Sequence, residues 1–190
     1  PLGKAGREAC AVDSLPQSFA VLAGLPAERA NAALDTAVRE LFDTENGLIK
    51  LFAPPFFEPD KQVGYTAAYP PGVRENGGQY THAAAWLAIA LLKAGRAEEG
   101  VQALRLLNTI AKYTDGLGDR YRGEPYALAG DVYAHPDCPG RVGWSQYTGA
   151  AGWMYTAVLR HLLGLRPHGD TLAIAPCLPA DWPGYTLKIT

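Results

Sequence analysis

Long apolar runs are missing from this sequence of 190 residues. None reaches the roughly 18 residues that a membrane-spanning helix needs, and the first residues show no signal-peptide pattern. Cysteine is scarce: Cys10, Cys138 and Cys177 are odd in number, far apart and without C-x-x-C pairing. That argues against a disulfide framework and a zinc site, and fits three separate structural thiols in a reducing compartment. An excess of one charge is missing too. The 17 basic and 19 acidic residues are interspersed, for a net charge of -2. No basic stripe is available to a nucleic acid or an anionic membrane, so any anionic ligand must be held by a local site. The opening PLGKAGREACAVD has no initiating Met and the chain stops within YTLKIT; both read as the interior of a longer protein, so a fragment is expected.

What is present is a globular composition, 48% apolar and 19% charged, long enough for one substantial core. Helical spacing comes in pairs. Residues 14 to 24 carry apolar residues on a 3.6 period, and a second run follows Pro26, closed by the turn Asn46-Gly47. Residues 79 to 94, apolar nearly all round, pair with 96 to 113, which has a polar face. A third pair is read over 124 to 134 and 147 to 164, and two short alternating strands over about 171 to 175 and 185 to 189. GLIKLF, at 47 to 52, reads as a short strand. The expectation is a mainly α fold of three helical hairpins with a short β segment at its C-terminus. An all-round apolar helix needs partners on several sides, more than three hairpins readily supply, which points to half of a larger helical array.

The connection over 47 to 78 is long, and rich in Pro, Gly and aromatics. It ends in GVRENGGQYTH, residues 72 to 82. Such loops in compact domains are usually functional. Gly77-Gly78 lets a ligand or another stretch of backbone approach closely. A helix beginning just after it offers unpaired N–H groups to an anion, with His82 in its first turn and Arg74 upstream. The competing reading is a tight turn with His82 as an ordinary helix-start residue. A second helix start, WSQYTGAAGW at 144 to 153, presents Thr148 and Gly149; Thr148 serves equally as an N-cap. In RGEPYAL, Glu124 and Pro125 suit a helix N-terminus, with Glu124 and Tyr126 as alternative sugar contacts. Trp86 reads as core, whereas Trp144, Tyr147 and Trp153 are open to stacking on sugar faces.

Taken in order, YPPGVRENGGQYTHAAAW, GEPYALAGDVY, GRVGWSQYTGAAGWMY and LAIAPCLPADWPGY resemble the C-terminal part of the inverting glycoside phosphorylase family. That family includes cellobiose and chitobiose phosphorylases and the phosphorylase-like region of cyclic β-1,2-glucan synthases; the opening PLGKAGREACAVDSLPQSFAVLAG is most like the glucan synthase branch. The resemblance implies the last half of an (α/α)6 barrel over residues 1–165, with β-structure over 166–190. It implies phosphate contacts from His82, Thr148 and Gly149, and sugar-subsite residues at Arg74 and Glu75; Gln79, Glu124 and Tyr126 are taken beside them as further candidate sugar contacts. It implies no cofactor beyond inorganic phosphate as co-substrate. The implied partners are a β-glucan or gluco-oligosaccharide, the remainder of the same protein and, through an exposed half-barrel, a second copy. The implied setting is the cytoplasmic side, in a parent associated with a membrane. The family's GDWND-like motif, which carries its general-acid Asp, does not occur here, and Val142 and Gln146 depart from the family's GRGGWTWYTG loop.

In inverting phosphorolysis one carboxylic acid protonates the leaving oxygen while phosphate attacks the opposite face. An inverting hydrolase needs a second carboxylate, roughly 6.5–9.5 Å from the first, to activate water. This chain is therefore expected to contribute a phosphate and sugar pocket without turning over alone. Two alternatives stand beside that reading: a helical hydrolase using Glu75 and Glu124, and a non-catalytic sugar-binding or assembly module.

Overall fold

The computed structural model describes residues 2–4, 6–58, 63–146 and 148–188. The chain is mainly helical, with four two-stranded antiparallel sheets among the described residues. Helix α1 (Ser14–Leu22) starts where the Asp13 carboxylate accepts the Leu15 N–H at 2.9 Å, a side-chain cap that satisfies an orphan donor. Helix α2 (Ala27–Leu41) begins right after Pro26 and buries the stripe Ala30, Leu34, Ala37 and Leu41, the i, i+4, i+7 pattern of an amphipathic helix. Helices α3 (Thr81–Lys93) and α4 (Ala97–Leu107) form the second hairpin around Gly95.

Ten of the residues of α3 are buried. Within the described residues it packs against α1, against α4, and against the helix α7 (Thr148–Thr156) with its π-helical continuation Ala157–Leu162. The main core forms where these faces meet α2, around Leu34, Leu41, Leu87, Leu91, Leu104 and Leu107. The run expected over 96 to 113 is broken at Asn108. The Asn108 side chain accepts from Ile110 N–H and opens a separate short helix, α5 (Thr109–Thr114), because Asn competes for backbone partners and favours caps.

Two expectations are corrected. Residues 124 to 134 do not form a helix; a single turn, α6 (Gly118–Tyr121), precedes them and the segment ends in an extended pair, Asp131–Val132. α7 therefore lacks the hairpin partner expected there. Gly130 and the β-branched Val132 weaken the helix locally, and pairing with Gln79–Tyr80 captures the backbone instead. Likewise, residues 185 to 188 are not a strand. Thr171–Ile174 pairs with Leu165–His168, in the register Leu165↔Ile174 to His168↔Thr171. The GLIKLF expectation resolves into Leu48–Ile49, paired with Phe42–Asp43, and Phe52–Ala53, paired with Val12–Asp13. The described cysteines are all free, and no described helix is long and apolar enough to cross a membrane.

Candidate functional site

The polar loop before α3 is held from inside by Asn76, which is fully buried. Its Oδ1 accepts the Phe56 N–H at 2.8 Å, and its Nδ2 donates to the carbonyls of Phe56 at 2.8 Å and Tyr69 at 2.7 Å. One side chain thus ties three points of the Pro-rich connection to the turn that carries Arg74. Gly77 and Gly78 serve the same closure. A β-carbon on Gly78 would lie 2.8 Å from the Arg74 carbonyl oxygen and 2.9 Å from that of Gly72. One on Gly77, where φ is +80°, would lie 2.9 Å from Pro55 Cβ. The space opened by the glycine pair is filled by the chain's own backbone, not left for a ligand.

Arg74 itself has a left-handed φ of +50°. Its guanidinium lies 5.5 Å from the Tyr69 ring centre and 5.2 Å from that of Trp144, a cation–π arrangement on two sides. The Glu75 carboxylate is 3.6 Å from Arg74 Nε, an ion pair too long for a hydrogen bond. Burial alone would lower the Arg74 pKa, but Glu75, Tyr69 and Asp131 outweigh it, and the net shift is upward.

Arg74, Tyr80, His82, Gly130, Asp131, Trp144, Gly149 and Ala150 line one cleft. A β-carbon on Gly149 would sit 3.6 Å from both Cε1 and Nδ1 of His82, so the imidazole lies directly against the first turn of α7. The ring is also 4.7 Å from the Trp86 ring centre and 6.0 Å from that of Trp153. Three expected site residues, Arg74, His82 and Gly149, are thereby brought together by elements far apart in sequence. Glu75 flanks them through Arg74. The Thr148 side chain and Tyr147 lie outside the described residues.

Other expected contacts are placed elsewhere. Gln79 is buried, with its Oε1 accepting the Ile49 N–H at 2.9 Å and its Nε2 donating to Thr81 Oγ1 at 3.0 Å; its amide is engaged in the fold. The α3 start is likewise engaged, since the Thr81 N–H donates to the Gly130 carbonyl at 3.0 Å. Tyr126 is 84% exposed, and neither it nor Glu124 lines the cleft.

Asp131 was not among the expected site residues. It is buried beneath the cleft, with Oδ1 accepting the Trp144 N–H at 2.8 Å. Burial raises its pKa, opposed by that N–H and by Arg74. The 141–145 loop wraps it: the Gly143 N–H donates to the Asp131 carbonyl at 3.0 Å, and a β-carbon on Gly143 would come within 2.3 Å of Oδ2. Val142 packs on the cluster of Leu48, Tyr121, Ala129 and Val132 under this loop, and Gln146 has a left-handed φ of +63°. Among the described residues, five buried side-chain polar atoms have no hydrogen-bond partner, and Arg74 Nε, Glu75 Oε2 and Asp131 Oδ2 are three of them. Unmet hydrogen-bonding capacity is costly when buried, and here it gathers at one cleft. No described group of His, Cys, Asp and Glu is placed to hold a metal ion.

Comparison with known proteins gives a consistent picture. The family described as "Glycosyl hydrolase 94 superfamily, catalytic domain" matches residues 1–164. The chain is 44% identical over 191 residues to the cyclic beta-(1,2)-glucan synthase NdvB of Rhizobium meliloti (strain 1021), covering 100% of this chain and 7% of that protein. It is 34% identical over 177 residues to the solabiose phosphorylase of Paenibacillus borealis, covering 90% of this chain and 22% of that protein. It is 31% identical over 188 residues to the N,N'-diacetylchitobiose phosphorylase of Vibrio proteolyticus, covering 97% and 23% respectively. The chain thus spans less than a quarter of the length of each of these relatives.

Proposed function

The chain belongs to the glycosyl hydrolase 94 superfamily, and we propose on that premise that it supplies the phosphate and sugar pocket of a glycoside phosphorylase or cyclic glucan synthase. The observation that carries this reading is the packing of His82 against Gly149, with Arg74 in the same cleft. The first N–H groups of a helix carry partial positive charge and lack intrahelical acceptors. An oxyanion seated at the start of α7 would receive those N–H groups and a hydrogen bond from the His82 imidazole. Preorganised donors of this kind are worth a few kcal/mol each. Phosphate held there is already an anionic nucleophile and needs no carboxylate base, in contrast to the water of an inverting hydrolase.

The helix arrangement supports assignment to part of an (α/α)6 barrel. Helices α1, α3 and α7 are consecutive neighbours, while α2 packs on α1 and α4 on α3, a pairing compatible with the inner and outer helices of such a barrel. The substrate would be a β-glucan or gluco-oligosaccharide, with the general acid supplied from residues outside these 190, since the sequence holds no GDWND-like run. The hydrolase reading is disfavoured because neither Glu75 nor Glu124 is among the residues that line the cleft.

The test is calorimetric titration of the chain with inorganic phosphate. Saturable binding that falls at least tenfold in His82→Ala is expected. Equal binding by the wild type and the variant would defeat the assignment. Incubation with β-1,2-gluco-oligosaccharide and phosphate should release no glucose 1-phosphate.

A further inference from the structure

Asp131 is a buried carboxylate with one oxygen committed and the other open. It is 3% exposed. Oδ1 is fixed by the Trp144 N–H at 2.8 Å, while Oδ2 has no hydrogen-bond partner. Its neighbours are Arg74, Glu75 and Tyr133, and none of them donates a hydrogen bond to Oδ2. The surrounding loop has been shaped to admit it, since any side chain at position 143 would collide with that oxygen. Leaving such an acceptor unpaired costs on the order of 1–3 kcal/mol, more for a charged group. That cost is recovered when a ligand supplies a donor.

The chemistry of the donor follows from charge. A carboxylate only accepts hydrogen bonds, so the matching ligand group is a donor, and on a sugar that donor is a hydroxyl. The charged side chains acting on Asp131 are Arg74, positive, and Glu75, negative, and His82 and Tyr80 line the same cleft. An ionised Oδ2 accepts from a hydroxyl placed against it and repels a carboxylate oxygen at the same point, while phosphate in this cleft is received by the α7 start and His82; like-charge juxtaposition is an effective device against a wrong ligand.

We propose that Asp131 is a specificity-determining residue, whose Oδ2 accepts from a hydroxyl of a neutral pyranose and excludes sugars oxidised to a carboxylate. This rests on the sugar-and-phosphate reading of the same cleft, and adds to it a residue and a class of excluded ligand.

The experiment is a ligand-observed NMR titration of the 190-residue chain with D-glucose and with D-glucuronate. Asp131→Asn is the main variant, because its Oδ1 still accepts the Trp144 N–H and the fold is kept. Gly143→Ala is the second, displacing Oδ2 without touching the charge. Thermal melts monitor folding of both. The wild type should bind glucose at least tenfold more tightly than glucuronate. Asp131→Asn should weaken glucose about tenfold, equivalent to ~1.4 kcal/mol, and close most of the gap to glucuronate. Gly143→Ala should weaken glucose while retaining the preference over glucuronate. Equal affinity of the wild type for both sugars overturns the proposal, as does an unchanged ratio in Asp131→Asn. Phosphate binding is followed in the same samples. Loss of phosphate binding in His82→Ala with sugar selectivity intact leaves both readings standing. Absence of phosphate binding in the wild type, with sugar selectivity present, defeats the phosphate reading alone.

Discussion

Replacing Asn76 should be far more damaging than its place in a surface-seeking polar motif suggests. Asn76 is fully buried and makes three hydrogen bonds of 2.7–2.8 Å, one accepted from Phe56 and two donated to Phe56 and Tyr69. Truncation to Ala strands one N–H and two carbonyls. Each unpaired buried group costs about 1–3 kcal/mol, and relaxation of the loop and entry of water recover part of it. A net loss of ~3–4 kcal/mol is expected, which for a domain of this size lowers the melting temperature by roughly 10 °C. Asn76→Asp keeps the shape but presents an acceptor to two carbonyl oxygens, so it should be at least as harmful as the Ala variant. Urea denaturation of wild type, Asn76→Ala and Asn76→Asp gives the values directly. A loss below about 1 kcal/mol for Ala, or wild-type stability for Asp, would refute the claim that this side chain closes the loop under Arg74.

Other consequences follow from the same physics. Lys112 is buried, donates to the carbonyls of Gly47 and Leu106, and has its pKa pushed down to about 8 by burial. The unfolded chain therefore holds the extra proton between about pH 8 and the ordinary lysine value near 10.5, and this group's contribution to stability rises with pH across that window, by up to ~3 kcal/mol. Subtracting a Lys112→Met profile from the wild-type profile isolates the effect, and a pH-independent difference over that range contradicts it. Gly78→Ala sets a β-carbon against the carbonyl oxygens of Arg74 and Gly72; overpacking against backbone should cost about 1–3 kcal/mol and displace Arg74, so sugar binding should fall along with the denaturation midpoint.

Much of the architecture was legible because the helices obey their periods. The α2 stripe and the all-apolar α3 could be read directly, and the partners α3 needs turn out to be α1, α4 and α7 within the same chain. The failures have local causes. EPYALAGDVYA has the Ala and Leu spacing of a helix, but the strand pairing Tyr80↔Asp131 is a long-range contact that spacing does not report. YTLKI alternates like a strand yet finds no pairing partner over its described residues, whereas LRPH, with a proline that argues against a strand, pairs at an exposed edge where proline is tolerated. At the site, Arg74, His82 and Gly149 were marked by glycine-rich motifs. Gln79 looked equally available until burial and its two partners accounted for it. Asp131 was hidden because it lay in a segment read as helix. Its one signal was its position just before the Gly-rich loop at 140 to 143, which in three dimensions folds over it.

A phosphate pocket in this chain requires an anion at the start of α7 beside His82. The direct measurement is a phosphate titration of the isotopically labelled chain followed by backbone amide resonances. A saturable shift of the Gly149 and Ala150 amides together with the His82 ring signals is predicted, abolished in His82→Ala. Shifts confined to other parts of the molecule, or Gly149 shifts that survive loss of the imidazole unchanged, would contradict it.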